Sequence, residues 1–151
     1  MARRPAAAAA TTGSPDELEA EFYLALRHGD VERLMAVWAD DDEIVCVHPG
    51  GARVIGAAAI RASFEAIFAA GGGIPVQTEQ VHRLLQLGCA LHHLVERVEV
   101  PGPQGAQLAW VLATNLYVKT VQGWRLASHH ASPCTPAEIS AEGGDTPSTL
   151  H

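Results

Sequence analysis

Residues 28–51, HGDVERLMAVWADDDEIVCVHPGG, decide the fold. Gly29 stops a preceding helix and Asp30 can cap the next, so the pair reads as a tight helix–helix joint. In the second helix, Val31–Trp38, the residues Val31, Leu34, Val37 and Trp38 form one apolar face. Asp40, Asp41 and Asp42 then make a solvated turn. Ile44–His48 is a short β-branched strand, ended by Pro49-Gly50-Gly51.

Toward the N-terminus, Ser14-Pro15-Asp16-Glu17 has the chemistry of a helix start: a Ser cap, Pro at the first position and acids in the first turn. Leu18, Phe22, Ala25 and Leu26 follow on one helical face. Toward the C-terminus, Arg53–Gly56 forms a brief strand or turn before a third helix, Ala57–Ala70, which buries Ile60, Phe64, Ile67 and Phe68. Gly71-Gly72-Gly73 ends it. From Ile74 onward the period becomes that of strands: Pro75–Leu87, Cys89–Val100, Gln107–Thr120 and Trp124–Ser132, joined by hairpin chemistry at Pro101–Gly105 and Gln122-Gly123.

Helices first and an antiparallel meander afterwards is an α+β order. A sheet of such long strands must curve, and three N-terminal helices packed on one face of it leave a cone with a pocket. The domain is expected over residues 16–133. A disordered tail is expected over 1–15, and a flexible tail rich in Ser, Thr, Gly, Pro and acids over 134–151.

Composition narrows the class. At 48% hydrophobic and 18% charged, 151 residues make one globular domain with a sizeable core. The net charge of −7 and the lack of a basic stripe argue against nucleic acid as a partner. No apolar run reaches the roughly 18 residues of a membrane span. Cys46, Cys89 and Cys134 are widely spaced and odd in number, which fits reduced thiols and a cytoplasmic location. Gly71-Gly72-Gly73 lacks the strand–loop–helix context of a phosphate cradle. Eight histidines raise the question of a metal, with His48, His92, His130 and Glu96 as conceivable ligands, yet no compact ligand spacing calls for one. No metal and no cofactor are expected.

The joint Gly29-Asp30, the Trp38-Ala39-Asp40 stretch, His48-Pro49 and the final Gly123-Trp124 strand together resemble the nuclear-transport-factor-2-like superfamily, and within it the SnoaL-like and ketosteroid-isomerase-like proteins. The resemblance spans residues 16–133. It implies a cystatin-like α+β cone, a small-molecule pocket, work without metal and dimerisation through the sheet. Ketosteroid-isomerase relatives carry a catalytic Asp just before a Pro at the end of the first strand, where His48 stands here. Their protonated oxyanion-hole Asp corresponds to Asn115, and their first-helix Tyr to Phe22, with Tyr23 beside it.

These substitutions have chemical content. His48 can move protons near neutrality, its type having a pKa of about 6.5. Asn115 can donate an N–H to a developing oxyanion, whereas Phe22 cannot donate. Tyr23 lies about 100° round the helix from Phe22 and is expected to point elsewhere. On the last strand, alternation groups Trp124, Leu126, Ser128 and His130 on the concave side and turns His129 outward. His92 and Glu96 share a face with Leu94, so a Glu–His pair could border the pocket, and Tyr117 shares the face of Asn115. The candidate catalytic set is therefore His48, Asn115 and His130, with Phe22, His92, Glu96, Tyr117, Leu126 and Ser128 lining the pocket.

Each residue also has a plain structural role open to it. His48 can cap a strand end, Asn115 can satisfy backbone at a bulge, and His130 can sit in the core or at a dimer interface. Glu96 can belong to a solvated or dimer-facing strand surface. Two functions remain in view. One is acid–base chemistry of isomerase, cyclase or dehydratase type on a small, apolar, oxygen-bearing molecule. The other is a non-catalytic ligand-binding or dimeric association module.

Overall fold

The computed structural model describes residues 13–143, with side chains to Ile139. Helix α1 spans Pro15–His28. Ser14 Oγ accepts from the Glu17 N–H at 3.1 Å, and Gly29 closes the helix at φ 65°. Asp30 then caps α2, Val31–Ala36, accepting from the Arg33 N–H at 3.1 Å. This helix ends two residues short of Trp38, because its exit is claimed by the sheet. The Leu126 N–H donates to the Val37 carbonyl at 2.7 Å, and the Ala39 N–H donates to the Leu126 carbonyl at 2.8 Å. Backbone committed to that bridge cannot also continue the helical ladder.

Strands β1 (Val45–Val47) and β2 (Arg53–Ile55) form a small antiparallel pair before α3, Ala57–Gly71. Long strands β3 (Val76–Gln86), β4 (Cys89–Gly102), β5 (Gly105–Thr120) and β6 (Gly123–Cys134) complete the chain's single sheet among the described residues. The order is β2-β1-β6-β5-β4-β3; β1 runs parallel to β6 and all other neighbours are antiparallel. The fold is thus the expected α+β arrangement, helices followed by a mixed sheet that does not close.

Two β-bulges shape this sheet. One lies between Glu79 and His82 in β3, where Gln80 takes φ 54°. The other inserts Ala127 into β6, since Leu116 pairs with Ser128 while its neighbour Tyr117 pairs with Leu126. An extra residue bends the strand and reverses which side chains face inward beyond it. The concave face packs on the helices through Leu18, Phe22, Leu34, Trp38, Ile60, Phe64, Leu94 and Leu126, all buried.

The Gly71-Gly72-Gly73 segment does more than end α3. A Cβ on Gly73 would lie 2.0 Å from the Arg27 carbonyl oxygen, so the chain passes directly against the end of α1. There the Ile74 N–H donates to the Leu26 carbonyl at 2.9 Å.

Over 134–151, where a flexible tail was expected, β6 continues to Cys134 and a short helix α4 spans Pro136–Gly143. Its start is a capping box. The Thr135 N–H donates to Glu138 Oε1 at 2.8 Å, and the Glu138 N–H donates to Thr135 Oγ1 at 3.3 Å. The expected tails over 1–12 and 144–151 lie outside the described residues. No helix among the described residues is long and apolar enough to cross a membrane.

Candidate functional site

Helix α1 places Asp16, Glu19, Ala20, Tyr23 and Arg27 along one stripe by its three- and four-residue spacing. With Thr78, Val81 and Arg83 of β3 they line an opening of about 320 Å³. Glu19 and Tyr23 form its floor. Beneath them, the register sets His92 beside Asn115 and Asn115 beside His129, a row of polar side chains across β4, β5 and β6. Glu96 and Tyr117 share that inner face by alternation.

These seven residues form one buried hydrogen-bonded cluster. Glu19 Oε2 receives the Tyr117 hydroxyl at 2.6 Å, His92 Nδ1 at 3.0 Å and Asn115 Nδ2 at 3.3 Å. Asn115 Nδ2 also donates to the Tyr23 oxygen at 3.0 Å, and the Tyr23 hydroxyl donates to Glu96 Oε2 at 2.8 Å. With the amide nitrogen donating, Asn115 Oδ1 must accept, and His129 Nδ1–H reaches it at 2.5 Å. The result is a directed chain, His129 to Asn115 to Tyr23 to Glu96. Among the described residues, Trp38 Nε1 is the one fully buried side-chain nitrogen or oxygen without a hydrogen-bond partner, so every fully buried polar atom of the cluster is paired.

Burial sets its electrostatics. It pushes the Glu96 carboxyl up to about 7, the Tyr23 hydrogen bond opposing and the Glu19 charge adding. Burial also drives His129 down to about 3, so its imidazole is neutral at ordinary pH. Tyr23 and Tyr117 rise well above the ordinary phenol value, first through burial and then through the Glu96 and Glu19 charges respectively. Both remain hydroxyl donors.

The three residues expected to act together do not meet. His48 Nε2 lies 2.9 Å from Ser63 Oγ on α3; that hydroxyl donates to the Ile60 carbonyl, so it accepts the imidazole N–H. Burial lowers the His48 pKa, and its ring stands edge-on to Phe64. Asn115 lies at the centre of the buried cluster. His130 and Ser128 point to the opposite, outer face of the sheet, in an open concavity of about 520 Å³ shared with Leu91, His93, Leu112 and Leu116. Simple alternation failed on β6 because the bulge at Ala127 exchanges the faces of His129 and His130.

Of the remaining candidates, His92, Glu96 and Tyr117 belong to the cluster. Phe22 and Leu126 are wholly buried core residues; Phe22 packs on Tyr23, Trp38 and His129. Glu19, Tyr23 and His129 escape a reading of the sequence. Glu19 alone left a signal, an acid three and four residues before Phe22 and Tyr23 on an otherwise apolar helix face. Tyr23 joins Phe22 indoors because α1 lies in the hollow of the sheet and is covered over a wide arc.

Comparison with known proteins agrees with this architecture. Residues 16–136 match the family model of the SnoaL-like domain. A candidate calcium/calmodulin-dependent protein kinase type II association domain from Thiobacillus denitrificans is 33% identical, with 83% of this chain and 98% of that chain aligned at a TM-score of 0.75. A candidate dehydratase of the nuclear-transport-factor-2-like family from Streptomyces avermitilis is 30% identical, covering 78% of this chain and 91% of its own at a TM-score of 0.70. A ketosteroid isomerase-like protein from Erwinia carotovora atroseptica shares the fold at 17% identity and a TM-score of 0.65, over 80% of this chain and 94% of that one. No match is found among curated proteins. With its helices, its mixed sheet and four-fifths of its length accounted for in this way, the chain belongs to the SnoaL-like domain family.

Proposed function

We propose that this protein is a dimerising small-molecule-binding domain whose ligand enters between α1 and β3 and rests on the buried polar cluster. One observation carries the reading: seven side chains are cross-linked by hydrogen bonds into one buried cluster, and two of them, Glu19 and Tyr23, border the opening. Such a floor is rigid before a ligand arrives, so little ordering cost is left to binding. Six of the eight lining side chains are polar or charged, which suits an occupant with polar ends better than the apolar one expected from the sequence. A thermal-shift screen of acidic, basic, zwitterionic and uncharged small molecules tests it, with Thr78→Trp filling the opening. At least one class should stabilise the wild type in a dose-dependent way and fail on the variant. A wild type indifferent to every class would refute the reading.

The outer sheet face supports self-association. Leu84, Leu91 and Leu108 are exposed there beside Leu112 and Leu116, more apolar surface than a solvent-facing sheet ordinarily carries. The association-domain relative from Thiobacillus denitrificans agrees with that use. Free thiols at Cys46, Cys89 and Cys134 suit a reducing, cytoplasmic compartment.

Acid–base chemistry on a carbonyl compound is the second reading, favoured by Glu96 at about 7 beside the Tyr23 hydroxyl and by the candidate dehydratase relative. In that case Glu96 and Tyr23, with Asn115 between Tyr23 and His129, replace the separated His48 and His130. Turnover of any screened carbonyl ligand, lost in Glu96→Gln, would establish it.

A further inference from the structure

We infer that the molecule taken up between α1 and β3 is a small zwitterion, an amine at one end and a carboxylate at the other; this rests on the binding reading of the same opening. The floor supplies an anionic contact. Glu19 Oε2 is held by three donors, and among the described residues no donor reaches Oε1. Glu19 is fixed and borders the opening, and among the described residues neither Arg27 nor Arg83 hydrogen-bonds it, although Arg83 lies near enough to feel its charge. Its free oxygen is a ready acceptor for an ammonium N–H.

The rim supplies the complementary charge. Arg27 spends one N–H on the Val76 carbonyl at 3.2 Å, and Arg83 spends one on Asp16 Oδ1 at 2.8 Å. A guanidinium carries five donors, so both side chains keep most of theirs. The Arg83–Asp16 pair is half exposed on each side and therefore weak, so a ligand carboxylate can share or displace it. Asp16 and Glu19 against Arg27 and Arg83 leave the lining neutral overall. A ligand of one sign meets an opposing charge at one end, whereas a molecule bearing both signs satisfies both ends.

Size bounds the class. About 320 Å³ is at the lower limit of ligand pockets, room for an amino-acid-sized molecule and not for a polycyclic one. Neither Ala20 nor Val81 offers a broad apolar wall.

Isothermal titration of glycine, β-alanine and 5-aminopentanoate, against propionate and propylamine, tests the inference. At least one zwitterion should bind tenfold or more tightly than either single-charge compound. Glu19→Gln should erase its advantage over propionate. Arg83→Gln, at an exposed position that keeps the cluster intact, should erase its advantage over propylamine. Equal binding of propionate or propylamine, or a preference untouched by Arg83→Gln, would overturn it. Should uncharged molecules stabilise the protein while no zwitterion binds, this inference fails and the pocket reading stands. Should nothing bind, both fail.

Discussion

Glu96 and His129 are neighbours in one buried cluster, and their protonation responds to pH in opposite senses. Native Glu96 keeps its proton to about 7, whereas the unfolded carboxyl releases it near 4.5. Raising the pH through that window therefore removes stability, and the full penalty is in force above it, about 3 kcal/mol. For His129 the unfolded ring binds a proton near 6.5 and the native ring only near 3, so acidification through that window removes stability instead. Between 4.5 and 6.5 the two oppose each other. Glu96→Gln should match the wild type at pH 4 and exceed it at pH 8, as read from urea unfolding at both. An identical difference at the two pH values would contradict the burial of an ionisable Glu96. Tyr117→Phe removes the 2.6 Å donor to Glu19 without changing shape, and should cost about 1–2 kcal/mol in the same assay. No loss would mean that water replaces the hydroxyl, and that the cluster is wetter than its burial indicates.

At the scale of elements, turn and cap chemistry was readable wherever it is local. Ser14, Gly29 and Asp30 do what their residue types dictate, and the helices they bound fall where the apolar period puts them. What escaped depends on partners distant in sequence. Val37 and Trp38 leave the α-helix because Leu126 bonds the Val37 carbonyl and the Ala39 N–H on either side of Trp38, and Ala127 looks like any strand residue until β5 is laid beside it. That one insertion decided which of two adjacent histidines joined the site, so one of the three expected catalytic residues turned on a feature with no local signature. The Thr135–Glu138 capping box was local and legible, but the polar composition around it masked it. The glycine run offers a sharp test. Gly73→Ala would press a methyl group into the Arg27 carbonyl and should destabilise by about 3 kcal/mol, while Gly71→Ala, with open space around it, should gain about 0.5 kcal/mol. Equal effects of the two on the thermal midpoint would show that the chain at Gly73 does not pass directly against the end of α1.

For the whole molecule, the two faces of the sheet have separate tasks. The inner face spends its polar residues on the cluster and its apolar ones on the helices, leaving nothing for another chain. On the outer face Leu91, Leu112 and Leu116 line an open concavity among the described residues, and the His93–Thr114–His130 row beside them is too sparsely charged to keep a neighbour away. An apolar sheet surface of this kind is stable in water when a second copy covers it, and a two-fold pairing does so with one surface facing itself. Leu91 is 36% exposed in the single chain, so a charge there should leave folding intact and act on association alone. Sedimentation equilibrium should therefore find the wild type dimeric and Leu91→Glu at least a hundredfold weaker in association, with the variant still unfolding cooperatively and only the wild type's urea midpoint rising with protein concentration. A wild type that stays monomeric at 100 μM, an order of magnitude beyond ordinary working concentrations, would remove dimerisation from the proposal. It would leave the ligand site untouched, because every residue lining that site lies on the opposite side of the sheet or on α1.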